Sequence, residues 1–90
     1  MDDRIAEDIE VADFYRNRGN FLAAYLRTKD ALDHQPDDAD INFSLAELAQ
    51  KLGKKDEAVE HYKTYLKLEP RGSKSKPAQK ALQQLAPPAK

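Results

Sequence analysis

The sequence predicts an all-α fold of antiparallel helix–turn–helix repeats, with five helices in total. Aligning residues 5–38 with residues 39–72 gives six identities in 34 positions, and five of these are Gly, Ala, Leu or Pro. An internal period in the range of ~20–50 residues is typical of solenoids. Apolar residues also recur at helical spacing inside each repeat. The identical pairs are Ala12/Ala46, Gly19/Gly53, Ala24/Ala58, Lys29/Lys63, Leu32/Leu66 and Pro36/Pro70.

The composition fits a single small globular domain. The 90 residues are 40% hydrophobic and 34% charged, which is too apolar for a disordered polyelectrolyte and too polar for a membrane protein. With three glycines and no tryptophan, a turn-rich β-sandwich is disfavoured. The chain has no cysteine, so disulfides, thiolate zinc sites and cysteine nucleophiles are excluded.

The sequence gives little information about the compartment. No apolar run approaches the ~18 residues of a bilayer span, so we expect no membrane insertion. The first ten residues, MDDRIAEDIE, are acidic and do not resemble a secretory signal. We therefore expect a cytoplasmic chain from the sequence as given, or one of the cell envelope if a signal has been removed.

The first repeat, residues 5–38, predicts two helices. In the first helix Ile5, Ile9, Ala12 and Tyr15 form an apolar stripe that Val11 and Phe14 widen, and Gly19 ends the helix. The second helix runs from about residue 21 to 33, and Pro36 stops it. Its side chains available for packing are Ala24, Leu26, Ala31 and Leu32.

The second repeat, residues 39–72, follows the same plan. Asp38 is the expected N-cap, Gly53 separates the two helices and Pro70 closes the second of them. The predicted core residues are Ile41, Leu45, Leu48, Ala49 and Leu52, followed by Ala58, Val59, Tyr62, Tyr65 and Leu66.

A polar linker at residues 71–74 leads to one more helix, so residues 73–86 are expected to cap the solenoid. Ser75 is the predicted N-cap, Pro77 lies in the first turn, and Pro87-Pro88 ends the helix before a tail at 87–90. The apolar stripe is thin, as suits a terminal helix. It consists of Ala78, Ala81, Leu82 and Leu85, with Gln79, Lys80, Gln83 and Gln84 facing outward.

These residues resemble the tetratricopeptide repeat (TPR) family, a right-handed α-solenoid built from 34-residue helix–turn–helix units. The resemblance covers residues 5–72, and 73–86 resembles the family's C-terminal capping helix. The matching residues are Val11, Ala12, Tyr15, Gly19, Phe21, Ala24, Ala31, Leu32 and Pro36, then Leu45, Ala46, Gly53, Ala58, Tyr62, Leu66 and Pro70. The stretch VADFYRNRGNFLAAYLR also resembles repeats of bacterial envelope proteins of this family.

The chain departs from the family pattern at several core positions. Asp8 and Asn42 stand where the family places a large apolar residue, and Thr28 replaces an aromatic residue. Between the repeats Tyr15 becomes Ala49 while Ala31 becomes Tyr65. We expect these two opposite changes in volume to compensate each other.

The resemblance implies a concave face formed by the first helix of each repeat. Transferred by register, the residues of this face are Ile9, Glu10, Asp13, Arg16 and Asn17, then Asp40, Phe43, Ser44, Glu47, Gln50 and Lys51. Ile9 and Phe43 are either apolar contacts for a peptide or packing residues between adjacent helices. The Lys, Arg and Asn set with which some family members hold a chaperone's C-terminal carboxylate is missing, so a Hsp90-type or Hsp70-type co-chaperone role is disfavoured.

The charge is divided unevenly along the chain. Residues 1–40 hold 11 acidic and 5 basic side chains, whereas residues 41–90 hold 5 acidic and 10 basic ones. Opposite ends of two molecules would attract each other, which together with the uncovered first helix favours self-association. The basic end has no interleaved aromatic residues and the pI is about 6.1, so nucleic-acid binding is not expected.

No pattern of catalytic or metal-binding residues is present. The chain lacks phosphate-loop, dinucleotide-binding and serine-hydrolase motifs. His34 and His61 are predicted to be surface residues without a metal, and Asp37, Asp38 and Asp40 are better explained as a turn and N-cap than as a calcium loop.

These observations predict a non-catalytic protein–protein interaction module without a cofactor, in which the concave face selects a basic or polar peptide. Two rival interpretations stay open. One is a structural role as a homo-oligomer, and the other is a fragment of a larger envelope or secretion-associated TPR protein.

Overall fold

The computed structural model describes residues 3–86 and contains five α-helices and no strand in that range, as predicted. The helices are α1 (Asp3–Asn17), α2 (Phe21–His34), α3 (Ala39–Lys51), α4 (Lys55–Leu68) and α5 (Ser75–Leu85). The predicted stop at Pro87-Pro88 and the tail at 87–90 lie outside the described residues. The helices form an elongated body of 45 × 25 × 19 Å.

The helices pack in chain order. The closest pairs are the two hairpins, α1 with α2 and α3 with α4, while α2–α3 and α4–α5 join one unit to the next. This is the arrangement of a short solenoid, in which each element packs on its neighbours along the chain.

The two hairpin turns have the same geometry. Gly19 and Gly53 both have φ of +76°, and they are the residues of positive φ in the described chain. The residue after each glycine donates its backbone N–H to the carbonyl five residues earlier. Asn20 donates to Tyr15 (2.9 Å) and Lys54 donates to Ala49 (2.8 Å). Each glycine thus ends its helix as the sequence predicted, with the last carbonyl groups hydrogen bonded.

The N-caps match the prediction in the second repeat but not in the last helix. Oδ1 of Asp38 accepts the N–H of Ile41 at 2.9 Å, as expected of a capping aspartate. The predicted cap at Ser75 is wrong, because the helix already includes Ser75 and the cap position belongs to Lys74, without a side-chain cap bond. The N–H of Ser75 donates instead to the carbonyl of Gly72 (3.1 Å), which continues the turn directly into the helix.

The main core is built around α3 and α4. Its buried members are Ala24, Tyr25, Phe43, Leu45, Ala46, Leu48, Ala49, Ala58, Tyr62, Tyr65 and Ala78. A smaller cluster of Ile5, Ala31 and Ile41 lies at the N-terminal end of α1 and α3. Tyr65 and Ala49 belong to the main cluster and Ala31 to the smaller one; the proposed volume compensation stays a prediction.

Two apolar residues assigned to packing are exposed. Leu26 is 53% exposed and Phe14 is 50% exposed. The buried side of α2 is formed by Ala24, Tyr25, Thr28 and Ala31, so Leu26 falls on the opposite side of the helix. The expectation that Leu26 and Phe14 belong to the core is therefore wrong.

The polar residues at core positions are buried and hydrogen bonded. Oδ1 of Asp8 lies 3.3 Å from Arg27 Nη1, and Thr28 Oγ1 donates to the carbonyl of Ala24 at 2.8 Å. The amide of Asn42 donates to the carbonyls of Pro36 (3.0 Å) and Asp38 (2.9 Å). No buried side-chain polar atom within residues 3–86 lacks a partner, so these departures do not leave unpaired polar groups in the core.

Candidate functional site

A cleft of about 210 Å³ lies between α1 and α3, with α2 at its base. Helix α1 contributes one wall and α3 the other, and Thr28 reaches the cleft from α2. The residues that line it are Ile9, Ala12, Asp13 and Arg16, then Thr28, and then Asp38, Asp40, Ile41, Ser44 and Leu48. The apolar members give it an apolar interior. The cleft is smaller than pockets for small ligands, which begin at ~300 Å³, and it has room for one large side chain.

The rim of the cleft is mainly acidic. Asp13, Asp38 and Asp40 supply three carboxylates, and Arg16 supplies the one cation among the lining residues. Asp38 is engaged in capping α3, and Oδ1 of Asp40 lies 3.2 Å from Nζ of Lys74. Asp13 makes no hydrogen bond or ion pair within residues 3–86, so its charge faces the cleft uncompensated.

An ion pair bridges the two walls. Nη2 of Arg16 on α1 lies 2.7 Å from Oε1 of Glu47 on α3, and both side chains are about one third exposed. The pair neutralises the cation of the cleft and ties the C-terminal half of α1 to α3. Such a partly exposed pair contributes up to ~1 kcal/mol to stability.

A second, more open depression of about 310 Å³ continues beyond the ion pair. It is lined by Glu47, Gln50, Lys51 and Tyr62. The hydroxyl of Tyr62 donates to Oε1 of Gln50 at 2.8 Å, which fixes the phenol at the edge of the depression. Burial, with the nearby charge of Glu47, raises the pKa of Tyr62 to about 12, although Arg16 opposes the shift. Tyr62 therefore stays neutral at physiological pH.

Phe43 does not lie on the concave face. It is 7% exposed, and its ring packs edge-on against those of Tyr62 (5.6 Å between centroids) and Tyr65 (5.4 Å). Nζ of Lys74 covers it at 5.4 Å from the ring centroid. Of the two alternatives for this residue, packing between helices is the one observed.

The structure brings most of the other predicted residues together. Ile9, Asp13, Arg16, Asp40 and Ser44 line the cleft, and Glu47, Gln50 and Lys51 line the second depression. Glu10 and Asn17 are exposed on α1 and line neither cavity. Arg16 lines the cleft and Glu47 lines the second depression, so the Arg16–Glu47 ion pair connects the two cavities.

Sequence reasoning found Ile9 but missed two other apolar residues that line the cleft and one residue of its rim. Ile41 and Leu48 were assigned to the core stripe, and they also line the cleft. Asp38 was predicted only as an N-cap, and it contributes to the acidic rim as well. The signal that could have found them is the repeat order: α3 is the first helix of the second hairpin and packs on α2, so its core residues also face the gap beside α1.

His61 is half-buried, contrary to the expectation of a surface residue. Its Nδ1 lies 3.0 Å from Oδ1 of Asn42. Burial lowers the pKa of His61, and the opposing charges of Glu60 and Glu57 do not restore it. His34, by contrast, is exposed.

Neither a metal site nor a membrane span is found in the described part of the chain. No group of three or more His, Asp or Glu side chains within residues 3–86 could hold a metal ion. None of the five helices in that range is long and apolar enough to cross a bilayer.

Comparison with known proteins agrees with this architecture. A family model described as tetratricopeptide repeat matches residues 16–86, which is more than three quarters of the chain. No curated protein matches the chain significantly. The repeats of this family generally mediate protein–protein interaction. The helical hairpins, their glycine turns and the family match together establish that the chain belongs to the tetratricopeptide repeat family.

Proposed function

We propose that the protein is a non-catalytic interaction module that binds a peptide segment in the α1–α3 cleft. The observation that carries the proposal is an apolar interior surrounded by an acidic rim. Ile9, Ile41 and Leu48 line the interior, and Asp13 adds an uncompensated carboxylate at its edge. This combination suits a segment with one apolar side chain followed or preceded by Lys or Arg.

The volume of the cleft sets the scale of the contact. A space of about 210 Å³ accepts one large apolar side chain and not a folded domain. The rest of the segment would lie over the Arg16–Glu47 bridge towards the second depression. Binding of this kind depends on one anchoring side chain and on charge, so we expect modest affinity that falls as salt is added.

Selection from a random peptide library, followed by titration of the chain by NMR, tests the proposal. We expect selected peptides to pair an apolar residue with Lys or Arg, and to shift the amide signals of residues that line the cleft. Enrichment of acidic peptides, or shifts confined to the outer surface of α2 and α4, would contradict it.

Two variants of the cleft make the test specific. Asp13→Lys reverses the uncompensated charge and should lower the affinity for a basic peptide ~10-fold. Ser44→Arg places a long cation inside the cleft and should abolish binding. Asp33→Lys, at an exposed position on α2 that does not line the cleft, is the matched control and should bind like the wild type.

A further inference from the structure

The first repeat carries an apolar patch on its outside. Among the described residues, the large hydrophobic side chains that are exposed are Phe14, Leu22 and Leu26, and all three lie in the first hairpin. Leu22 is 54% exposed and stands one turn before Leu26 on the same face of α2. We refer to Phe14, Leu22 and Leu26 as the outer patch. None of the three lines the α1–α3 cleft.

The fold does not require leucine at these positions. In the second repeat the residues in the same register as Leu22 and Leu26 are Asp56 and Glu60, and both are exposed on α4. The residue in register with Phe14 is Leu48, which is 1% exposed inside the main core. The outer patch is therefore a feature of the first hairpin alone, and grouped exposed apolar side chains mark interaction surfaces.

The charges beside the patch indicate what covers it. Arg18 lies in the turn before α2, at the end of the helix nearer Leu22, and Asp30 lies on α2 four residues after Leu26. Both are exposed. The guanidinium of Arg18 lies 3.7 Å above the ring of Phe14, and its Nη1 donates to the carbonyl of Phe14 at 3.3 Å, which holds the cation at this end of the patch.

The patch has a cation at one end, two leucines in the middle and a carboxylate at the other end, so two copies placed in opposite directions are complementary. If two copies of α2 lie antiparallel, Leu22 of one copy faces Leu26 of the other, and the turn that carries Arg18 lies towards Asp30 of the other copy at both ends. A two-fold axis repeats each contact, so one favourable pair becomes two. We propose that the outer patch is the interface of a two-fold homodimer, in which the α2 helices pair antiparallel through Leu22 and Leu26 and the Arg18–Asp30 pairs fix the direction.

Head-to-tail association, which the division of charge along the chain favours, fits the exposed groups less well. The outward side of α5 carries Gln79, Lys80, Gln83 and Gln84, all of them exposed. No large hydrophobic side chain is exposed between residues 39 and 86. A head-to-tail contact would set the outer patch against a polar surface, and its repetition would give open chains rather than a closed dimer.

Sedimentation equilibrium of the full chain tests the proposal directly. The wild type should be a dimer, and Leu26→Asp should raise the dissociation constant by at least ~100-fold because the change occurs twice in the interface. Glu60→Lys, at the same register position on α4, is the matched control and should dimerise normally. Circular dichroism of each variant checks that the helices are kept. A wild-type chain that stays monomeric up to ~1 mM would overturn the proposal.

Exchange of the two charges tests the antiparallel direction. Arg18→Asp alone sets two carboxylates opposite each other at both ends of the interface, and Asp30→Arg alone does the same with two guanidinium groups, so each variant should dimerise more weakly. Mixing the two variants should restore the dimer. In the mixed pair the new carboxylate at position 18 of one chain faces the new guanidinium at position 30 of the other, and Asp30 of the first chain faces Arg18 of the second, so the facing charges are opposite at both ends. The double exchange, Arg18→Asp with Asp30→Arg in one chain, also sets opposite charges against each other at both ends and should dimerise like the wild type. Failure of the double exchange to associate, or growth of oligomers beyond two chains, would contradict the arrangement.

The same variants separate this proposal from peptide binding. The Leu26→Asp variant should be monomeric but still bind the peptides selected for the cleft. The Ser44→Arg variant should still dimerise, because the cleft and the outer patch share no residue. Loss of dimerisation in Ser44→Arg with Leu26→Asp unaffected would overturn the assignment of the interface.

Discussion

Nδ1 of His61 on α4 lies 3.0 Å from Oδ1 of Asn42 on α3. The amide nitrogen of Asn42 already donates to the carbonyls of Pro36 and Asp38, so its oxygen is the atom left to accept. His61 must therefore carry its proton on Nδ1 in the neutral form. This one amide joins α4, α3 and the turn between the two repeats.

The burial of His61 makes stability depend on pH near neutrality. Its pKa is lowered from 6.5 in the folded chain, so below that value the unfolded chain binds the proton more readily than the folded one. Stability should therefore fall as the pH drops from ~7.5 through ~6.5 towards the folded pKa. The charged groups that act on His61 are Glu60, Glu57 and Lys29.

Urea midpoints measured between pH ~7.5 and ~5.5 check this expectation, a range above the ordinary pKa values of Asp and Glu. His61→Gln should reduce the slope, whereas His34→Gln at an exposed position should leave it in place. An unchanged slope in His61→Gln would show that other groups cause the pH dependence.

Phe43→Ala should act on stability rather than on partner binding alone. The ring is buried between Tyr62 and Tyr65, so its removal should cost ~3–5 kcal/mol of unfolding free energy. Ser44→Ala, one residue further along α3, should change it by less than ~0.5 kcal/mol. Chemical denaturation measures both, and equal effects of the two variants would contradict the buried position of Phe43.

Tyr65 supports the turn before α5 through its hydroxyl. The ring is 2% exposed, and the hydroxyl accepts the backbone N–H of Lys74 at 3.0 Å. Tyr65→Ala should cost at least ~2 kcal/mol, and Tyr65→Phe ~1 kcal/mol for the lost hydrogen bond. A cost of Tyr65→Ala below ~0.5 kcal/mol would mark the residue as a surface group.

A methyl group at Gly72 would meet this same hydroxyl and the Cβ of Glu69. Gly72→Ala should therefore destabilise the wild type more than it destabilises Tyr65→Phe, where the nearest atom has been removed. The difference between the two is a coupling energy that a double-mutant cycle measures. Equal costs in both backgrounds would show that the hydroxyl does not contact position 72.

Gly53→Ala should cost ~1 kcal/mol through the backbone alone. No atom lies within 4 Å of a Cβ built there, but φ of +76° disfavours any L side chain. Gly53→Asn should cost less, because asparagine tolerates this conformation better. Thermal unfolding of the two variants checks the order, and an alanine variant as stable as the wild type would contradict it.

The repeat plan could be predicted from the sequence because its signals are local. Gly19, Gly53 and Asp38 act within one turn of helix, so their roles as helix stop and N-cap follow from spacing alone. The position of Phe43 could not be predicted in this way. Helix α3 packs on both α2 and α4, and its residues 41–43, 45–46 and 48–49 are all buried, so a single apolar stripe does not describe it.

Hydrophobicity alone does not predict which apolar residues are exposed and which polar residues are buried. Leu26 is apolar and exposed, while Asn42 is polar and buried, so hydrophobicity alone assigns each to the wrong place. Asn42 is tolerated because two carbonyls and His61 satisfy its amide, and these partners come from a turn and another helix. Such compensation depends on tertiary contacts that no periodicity contains.

Because extensive contacts within residues 3–86 join helices that follow one another in the chain, the molecule is energetically close to a linear array. Helix α1 has its extensive contacts with α2, and the Arg16–Glu47 pair links it to α3. Fraying from that terminus leaves the remaining hairpin intact, so α1 opens at a lower free energy than α3. A peptide bound in the cleft would contact both α1 and α3. It would therefore reduce the opening of α1 most, because α1 has the least support when the cleft is empty.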